Sequence, residues 1–247
     1  MDSDKWLVFS RKKYKMIRIR RSNERGHANH GWLDTHYTFS FSDYYDPEFM
    51  GFRDLRVINE DRIEPGQGFP KHGHRDMEII TYMISGEISH RDSMGNVETI
   101  RSGEVQRMTA GTGVLHSEFS SETHRTHLLQ IWILPEARRL EPGYEQKQFP
   151  AEDKRGKLRL IASRGAADGS IHINQDVRVF ASILSNGQTV SYEPVAGRHI
   201  WIQLISGSLD VSGTVLAAGD GAAISDEHEL RIVSLAAESE FLLFDLR

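Results

Sequence analysis

The segments His72-Gly73-His74 and His116-Ser117-Glu118 each place two metal-ligating side chains at positions i and i+2. Side chains alternate between the two faces of an extended strand, so both members of each pair point the same way. Two such strands lining a small barrel would aim three imidazoles and one carboxylate at a common point. That shell suits a first-row divalent ion such as iron, copper, nickel, manganese or zinc. Glu78 is the rival carboxylate. It shares strand parity with His72 and His74, so a regular strand would turn it inward too; its alternative role is to hydrogen-bond a ligand from behind.

The elements able to hold these groups are short. Runs rich in β-branched and aromatic residues, bounded by Gly, Asn and Asp, recur at Thr38–Phe41, Leu55–Ile58, Glu78–Ile84, Leu128–Leu134, Val179–Leu184, Ile200–Ile205 and Phe241–Leu246. Helical apolar periodicity is scarce. The pattern predicts an all-β sandwich or barrel. Ile17–Arg21 alternates like an edge strand with a solvated basic face. Pro135–Gly156 is charged, with Pro and Gly at turn-like positions, and reads as an inter-domain connection.

A weak internal repeat predicts two domains. YMISGEISHRDSMGNVETIRSGEV around Gly86 and QLISGSLDVSGTVLAAGDGA around Gly207 share an apolar strand, Ile-Ser-Gly, an outgoing strand, a Gly-containing turn and a Gly-acid pair. Counting from these landmarks, His72 and His74 correspond to Glu193 and Val195, and His116 and Glu118 to Ile232 and Ser234. The second copy lacks the ligand set, which predicts one metal centre per chain, in the N-terminal half.

Composition narrows the function classes. The 247 residues are 38% hydrophobic and 26% charged, an ordinary globular balance. The net charge of −5 argues against direct nucleic-acid binding. The absence of cysteine removes disulfides, thiol catalysis and Cys-ligated metals, and fits a cytoplasmic protein. No run approaches the roughly 20 apolar residues of a membrane span. Residues 1–15 read as a flexible extension, since Trp6–Phe9 is too short for a signal sequence. His27 and His30 fall in a loop-like stretch, and His90 reads as part of a structural polar network. Phe69, Met77, Tyr82, Met108 and Leu115 are candidates for a pocket wall or for ordinary core. No Walker A run or GxSxG elbow is present.

GQGFPKHGHRDMEIITYMISG resembles the first cupin motif, with Gly86 one position later than usual. In RSGEVQRMTAGTGVLHSEF, Thr109 stands where the second cupin motif carries Pro, His116 comes two residues late, and Glu118 follows it. These departures resemble the pirin family, whose hallmark runs stand here as HGHRDMEIITYMISGEISHRDSMGN and VQRMTAGTGVLHSE. The resemblance extends from Met16 to the C-terminus and is closest to bacterial pirin-like quercetin 2,3-dioxygenases. It implies a bicupin: two jelly-roll β-barrels packed in one chain with few short helices. The expected division is an extension (1–15), a metal-binding cupin domain (16–140) and a degenerate cupin domain without metal (141–247). The ligands carried over are His72, His74, His116 and Glu118.

Two functions follow from the resemblance. The first is a metal-dependent dioxygenase that cleaves a flavonol such as quercetin with O2 and releases CO, using Glu118 as both ligand and general base. The second is a non-enzymatic regulatory binding protein or redox sensor that meets a protein partner. A monomer is expected, because the two barrels can pack on each other within one chain.

Overall fold

The computed structural model describes residues 16–247, so the expected extension over residues 1–15 lies outside the described residues. The described residues are nearly all β, with one helical turn at Ala151–Lys154 and two short 3-10 turns.

The N-terminal half begins with β1 (Met16–Arg20), β2 (Gly26–Asn29), β3 (Leu33–Tyr37) and β4 (Leu55–Ile63). Next come β5 (Gly68–His74), β6 (Glu78–Ser85), β7 (Glu87–Asp92) and β8 (Val97–Arg101). The last four are β9 (Glu104–Thr109), β10 (Val114–Ser120), β11 (Thr126–Ile133) and β12 (Gly143–Gln148). A seven-stranded sheet in the order β12-β9-β6-β11-β4-β3-β2 faces a four-stranded sheet in the order β5-β10-β7-β8.

The C-terminal half repeats the plan. It contains β13 (Arg159–Ser163), β14 (Ile171–His172), β15 (Val177–Ser185), β16 (Thr189–Tyr192) and β17 (His199–Ser206). It continues with β18 (Ser208–Val211), β19 (Thr214–Ala217), β20 (Gly221–Ser225), β21 (Leu230–Ser234) and β22 (Glu238–Leu246). Its sheets run β1-β20-β17-β22-β15-β13-β14 and β16-β21-β18-β19. The Ile-Ser-Gly repeat has a steric origin. Gly86 and Gly207 both adopt positive φ (77° and 83°), and a Cβ there would lie 2.6 Å from the Arg125 carbonyl oxygen or 2.3 Å from that of Glu238.

The two seven-stranded sheets pack back to back. Ile58, Ile80, Tyr82, Leu129 and Ile131 of one meet Val179, Trp201, Leu242 and Phe244 of the other in a shared core. Their strands are therefore buried on both faces, which explains the near-continuous apolar text of EIITYMIS and HIWIQLIS. The other face of the second sheet fills its own barrel with Val190, Ile202, Leu209, Ile232 and Leu243.

Sequence order and sheet membership diverge at both domain edges. β1 pairs with β20 and so lies in the second domain's sheet, while β12, beyond residue 140, pairs with β9 in the first. Pro135–Gly156 is thus an ordered strand and helical turn as well as a connection. The edge strand at Ile17–Arg20 is present, but its basic face is not all solvated. Arg20 is 3% exposed, pairs with Asp46 at 3.0 Å and lies 3.9 Å over the Phe49 ring. Thr38–Phe41 is not a strand. Phe39 leaves the ladder to pack on Trp201 across the domain interface, and the chain turns at Ser42 with φ of 51°.

A buried polar cluster bolts the domains together. Lys154 donates to Tyr82 Oη (2.8 Å) and to Glu240 Oε1 (3.0 Å), and Tyr82 donates to the same carboxylate. Removing the lysine leaves a carboxylate facing an apolar interface without its cation. Lys154→Ala is expected to cost about 3–5 kcal/mol by chemical denaturation, while the double substitution Lys154→Met with Glu240→Leu recovers most of that loss.

Candidate metal centre

Strands β5 and β10 pair antiparallel, with His72 directly opposite His116. Alternation along β10 buries Val114, His116, Glu118 and Ser120 and exposes Leu115 and Phe119. Two residues beyond the histidine pair the register shifts, so that Glu118 stands opposite Phe69. The extra residue falls at Pro70-Lys71. Proline has no amide hydrogen to give to a ladder, and a bulge is where a strand accommodates it.

The imidazole rings of His72, His74 and His116 lie 4.4–4.9 Å apart, centroid to centroid. One ligand nitrogen from each falls within 4.8 Å of the others. His72 Nδ1 lies 2.8 Å from the Pro70 carbonyl oxygen. A proton on Nδ1 makes that bond and leaves Nε2 free as a donor of electrons. Both nitrogens of His116 are buried without a partner. Glu118 groups with His116 and His90, its Oε2 lying 4.0 Å from His116 Nδ1.

Burial sets the protonation. It drives His74 down to about 4, helped by the neighbouring His72. It drives His116 down to about 2, helped by His72, His74 and His90. These two imidazoles are therefore neutral near pH 7, with lone pairs available. Burial pushes the Glu118 carboxyl up to about 7, with the charge of Asp61 adding to it; Gln130 Nε2, 3.5 Å away, works against the shift. Burial likewise lifts Asp61 to about 6.

Around this cluster opens a cavity of about 560 Å³. Aromatic side chains flank it: Trp32 meets Phe69 edge-on at 5.3 Å, Phe41 meets Trp132 at 5.2 Å, and Trp132 sits 4.9 Å from His74. The wall opposite the imidazoles belongs to β4 and β11, which contribute Asn59, Asp61 and Gln130.

The structure brings together His72, His74 and His116, with Glu118 beside His116. It takes Glu78 elsewhere. Asp76 adopts a φ of 50° and breaks the chain between β5 and β6, which lie in different sheets, so the parity with His72 is lost. Glu78 is fully buried at the domain interface and accepts hydrogen bonds from Thr109 Oγ1 (3.2 Å) and from the Asn174 amide and side chain (3.3 Å each).

Other expectations divide. Phe69 lines the cavity, whereas Met77 and Met108 pack in core, Tyr82 faces the other domain and Leu115 is exposed. His27 lies on β2 rather than in a loop, stacked 4.4 Å from His36 and 2.7 Å from Asp34, while His30 edges the cavity. His90 is the buried polar group expected, bonded to Asp92 at 3.1 Å, but its ring also lies 5.3 Å from His116. Asn59, Asp61, Gln130 and Trp132 were not anticipated. For Asn59 and Asp61 the signal was a parity shared with Val57 and Ile63, which sets two polar side chains on an otherwise apolar face of the strand.

In the second barrel, Ile232 pairs with Val190, and β16 ends at Tyr192 before Glu193 and Val195. Register thus replaces the counted partners of His72 and His74, and the corresponding interior is apolar.

Two cupin barrels in one chain, with a histidine cluster found among the described residues only inside the first, define a bicupin of asymmetric halves. The family described as Pirin matches residues 18–133, and the Quercetinase C-terminal cupin domain matches residues 160–246. The chain belongs to the pirin family. It is 50% identical over 232 residues to a quercetin 2,3-dioxygenase of Escherichia coli, covering 94% of this chain and 99% of that one. It is 44% identical to a putative quercetin 2,3-dioxygenase of Pseudomonas aeruginosa, covering 94% and 100%. The crystal structure of the bacterial pirin YhhW from Escherichia coli in complex with nickel(II) superposes with a TM-score of 0.89 at 48% identity, covering 94% and 99%.

The raised Glu118 carboxyl has a consequence for stability. Its folded pKa lies above the ordinary 4.5, so its contribution is fully present below pH 4.5 and is lost as pH rises through about 7. In metal-free protein, Glu118→Gln is therefore expected to raise Tm most above pH 7, by roughly 2–4 °C for each kcal/mol relieved. Calorimetry across pH 5–8 should show the gap narrowing toward acid; an equal gap at all pH values would contradict the buried-acid assignment.

Proposed function

We propose that this chain is a metal-dependent dioxygenase that cleaves a flavonol such as quercetin with O2 and releases CO. In this reading His72, His74, His116 and Glu118 hold one divalent transition-metal ion. The observation that carries it is the convergence of three imidazoles, with both nitrogens of His116 unpartnered, inside an aromatic-flanked cavity of about 560 Å³. The names of the relatives, and the nickel held by the YhhW crystal structure, support the same reading.

The donor set fits such an ion. Neutral imidazoles offer lone pairs at no cost in deprotonation, and nitrogen with carboxylate oxygen suits iron, copper, nickel, manganese or zinc. When bound, the ion supplies Lewis acidity that makes a coordinated flavonol hydroxyl more acidic.

The chain's own groups do the rest. Glu118, raised to about 7, is poised to take the proton of the flavonol 3-hydroxyl on a carboxylate oxygen near neutral pH. Trp32, Phe41, Phe69 and Trp132 present apolar faces and edges that hold a flat ring system and exclude water from it. Gln130 holds the Glu118 carboxylate from β11.

Oxygen uptake and CO release with quercetin test this directly, using protein stripped of metal and reloaded separately with each of the five ions. At least one ion is expected to support CO release. Glu118→Gln should lower turnover per bound ion by about 10²-fold or more, and His116→Ala should abolish stoichiometric metal binding. Stoichiometric binding of every ion without CO release would overturn the proposal.

A further inference from the structure

The cavity wall facing the imidazoles is built from hydrogen-bond acceptors that are short of donors. Antiparallel register lays two polar rows across the barrel interior: Tyr37, Asn59, Gln130 and Thr81 in one, Thr35 and Asp61 in the next. Asn59 and Asp61 are each 4% exposed. Asn59 Oδ1 has no hydrogen-bond partner. Asp61 enters no ion pair among the described residues, and the hydroxyl beside it belongs to its cross-strand neighbour Thr35.

The neighbouring groups do not relieve this wall. Arg62 follows Asp61 in sequence but points to the opposite face, where it pairs with Glu60 at 2.7 Å. Gln130 already accepts from Thr81 Oγ1 and donates to Glu118, at 3.5 Å each. A carboxyl and an amide oxygen in a packed interior normally have a full set of donors, and a shortage calls for an explanation. Both groups line the cavity, beside the Thr35 and Tyr37 hydroxyls, so a bound molecule or solvent within it can supply a further donor.

We infer that Asp61 and Asn59 form an acceptor subsite for hydroxyl groups of the ligand, so that the cavity selects polyhydroxylated aromatic molecules over hydroxyl-poor ones. This rests on the flavonol reading and adds to it the source of selectivity. A site that hydrogen-bonds a ligand hydroxyl rejects the analogue lacking it, because its own buried groups then stay unpaired.

The test is equilibrium binding to zinc-loaded protein under oxygen-free conditions, read by quenching of tryptophan fluorescence. The two probes are quercetin and 3-hydroxyflavone, which share the 3-hydroxyl and differ in the remaining hydroxyls. Wild type is expected to bind quercetin about tenfold or more tighter. Asp61→Asn and Asp61→Leu should each erase most of that preference while the 3-hydroxyflavone Kd moves less than about threefold and one zinc per chain is retained. The leucine variant removes a buried charge and keeps the test open if the amide variant folds poorly. A wild type that binds both probes equally, or a preference that survives both substitutions, overturns the subsite and leaves the flavonol reading standing. A wild type that binds neither probe overturns both.

Discussion

His72 stands directly opposite His116 across two antiparallel strands, and the chemistry of the first barrel depends on that register. A slip of one residue in either strand would turn that strand's ligand pair to the outer face and separate it from the other. The bulge at Pro70-Lys71 limits the freedom to slip. It brings Phe69 opposite Glu118, and the Pro70 carbonyl orients the His72 ring. One imino acid thus does two jobs: it interrupts the ladder, and its carbonyl selects which histidine nitrogen stays free.

The second barrel shows what the same architecture becomes without that demand. Its equivalent strand pair sets Val190 against Ile232, and its interior closes into an apolar core. A filled barrel gives a rigid partner for the first. The large sheets share a core through Trp201, Phe244 and their neighbours, so the outer face of the first barrel's large sheet is fixed while its inner face carries Asn59, Asp61 and Gln130 opposite the imidazoles. Exchange of edge strands reinforces this: β1 completes the second sheet and β12 the first. Precision of that wall thus derives from burial on the far side of the same strands.

Much of this was legible in the sequence, for physical reasons that differ by element. The i, i+2 pairs His72/His74 and His116/Glu118 were readable because strand parity is local. The two-domain repeat was readable because Gly86 and Gly207 each occupy a place where a Cβ would strike backbone. Glu78 misled because parity carries only through unbroken strand, and the positive φ of Asp76 breaks it. Thr38–Phe41 misled because its apolar text serves an inter-domain contact of Phe39 rather than a ladder. The sheet exchange and the acceptor wall were hidden, because both depend on which distant strand lies alongside, and no local pattern encodes that.

The electrostatics of the first barrel connect its parts. Depressed imidazoles and elevated carboxyls in one cavity arise from the same cause, burial without compensating charge. The two shifts oppose each other in their effect on stability. Acid strains the histidines, because the unfolded chain protonates them more readily; base strains Glu118 and Asp61, because the unfolded chain releases their protons more readily. The metal-free fold is therefore squeezed from both sides of neutral pH. A divalent cation would relieve the Glu118 side directly and use the neutral imidazoles as they stand. It would leave Asp61, which is held on the opposite strand and needs a donor of another kind. The site thus presents two separate deficits on facing walls, one suited to a metal and one suited to a hydroxyl, a placement that would orient a ligand held by both.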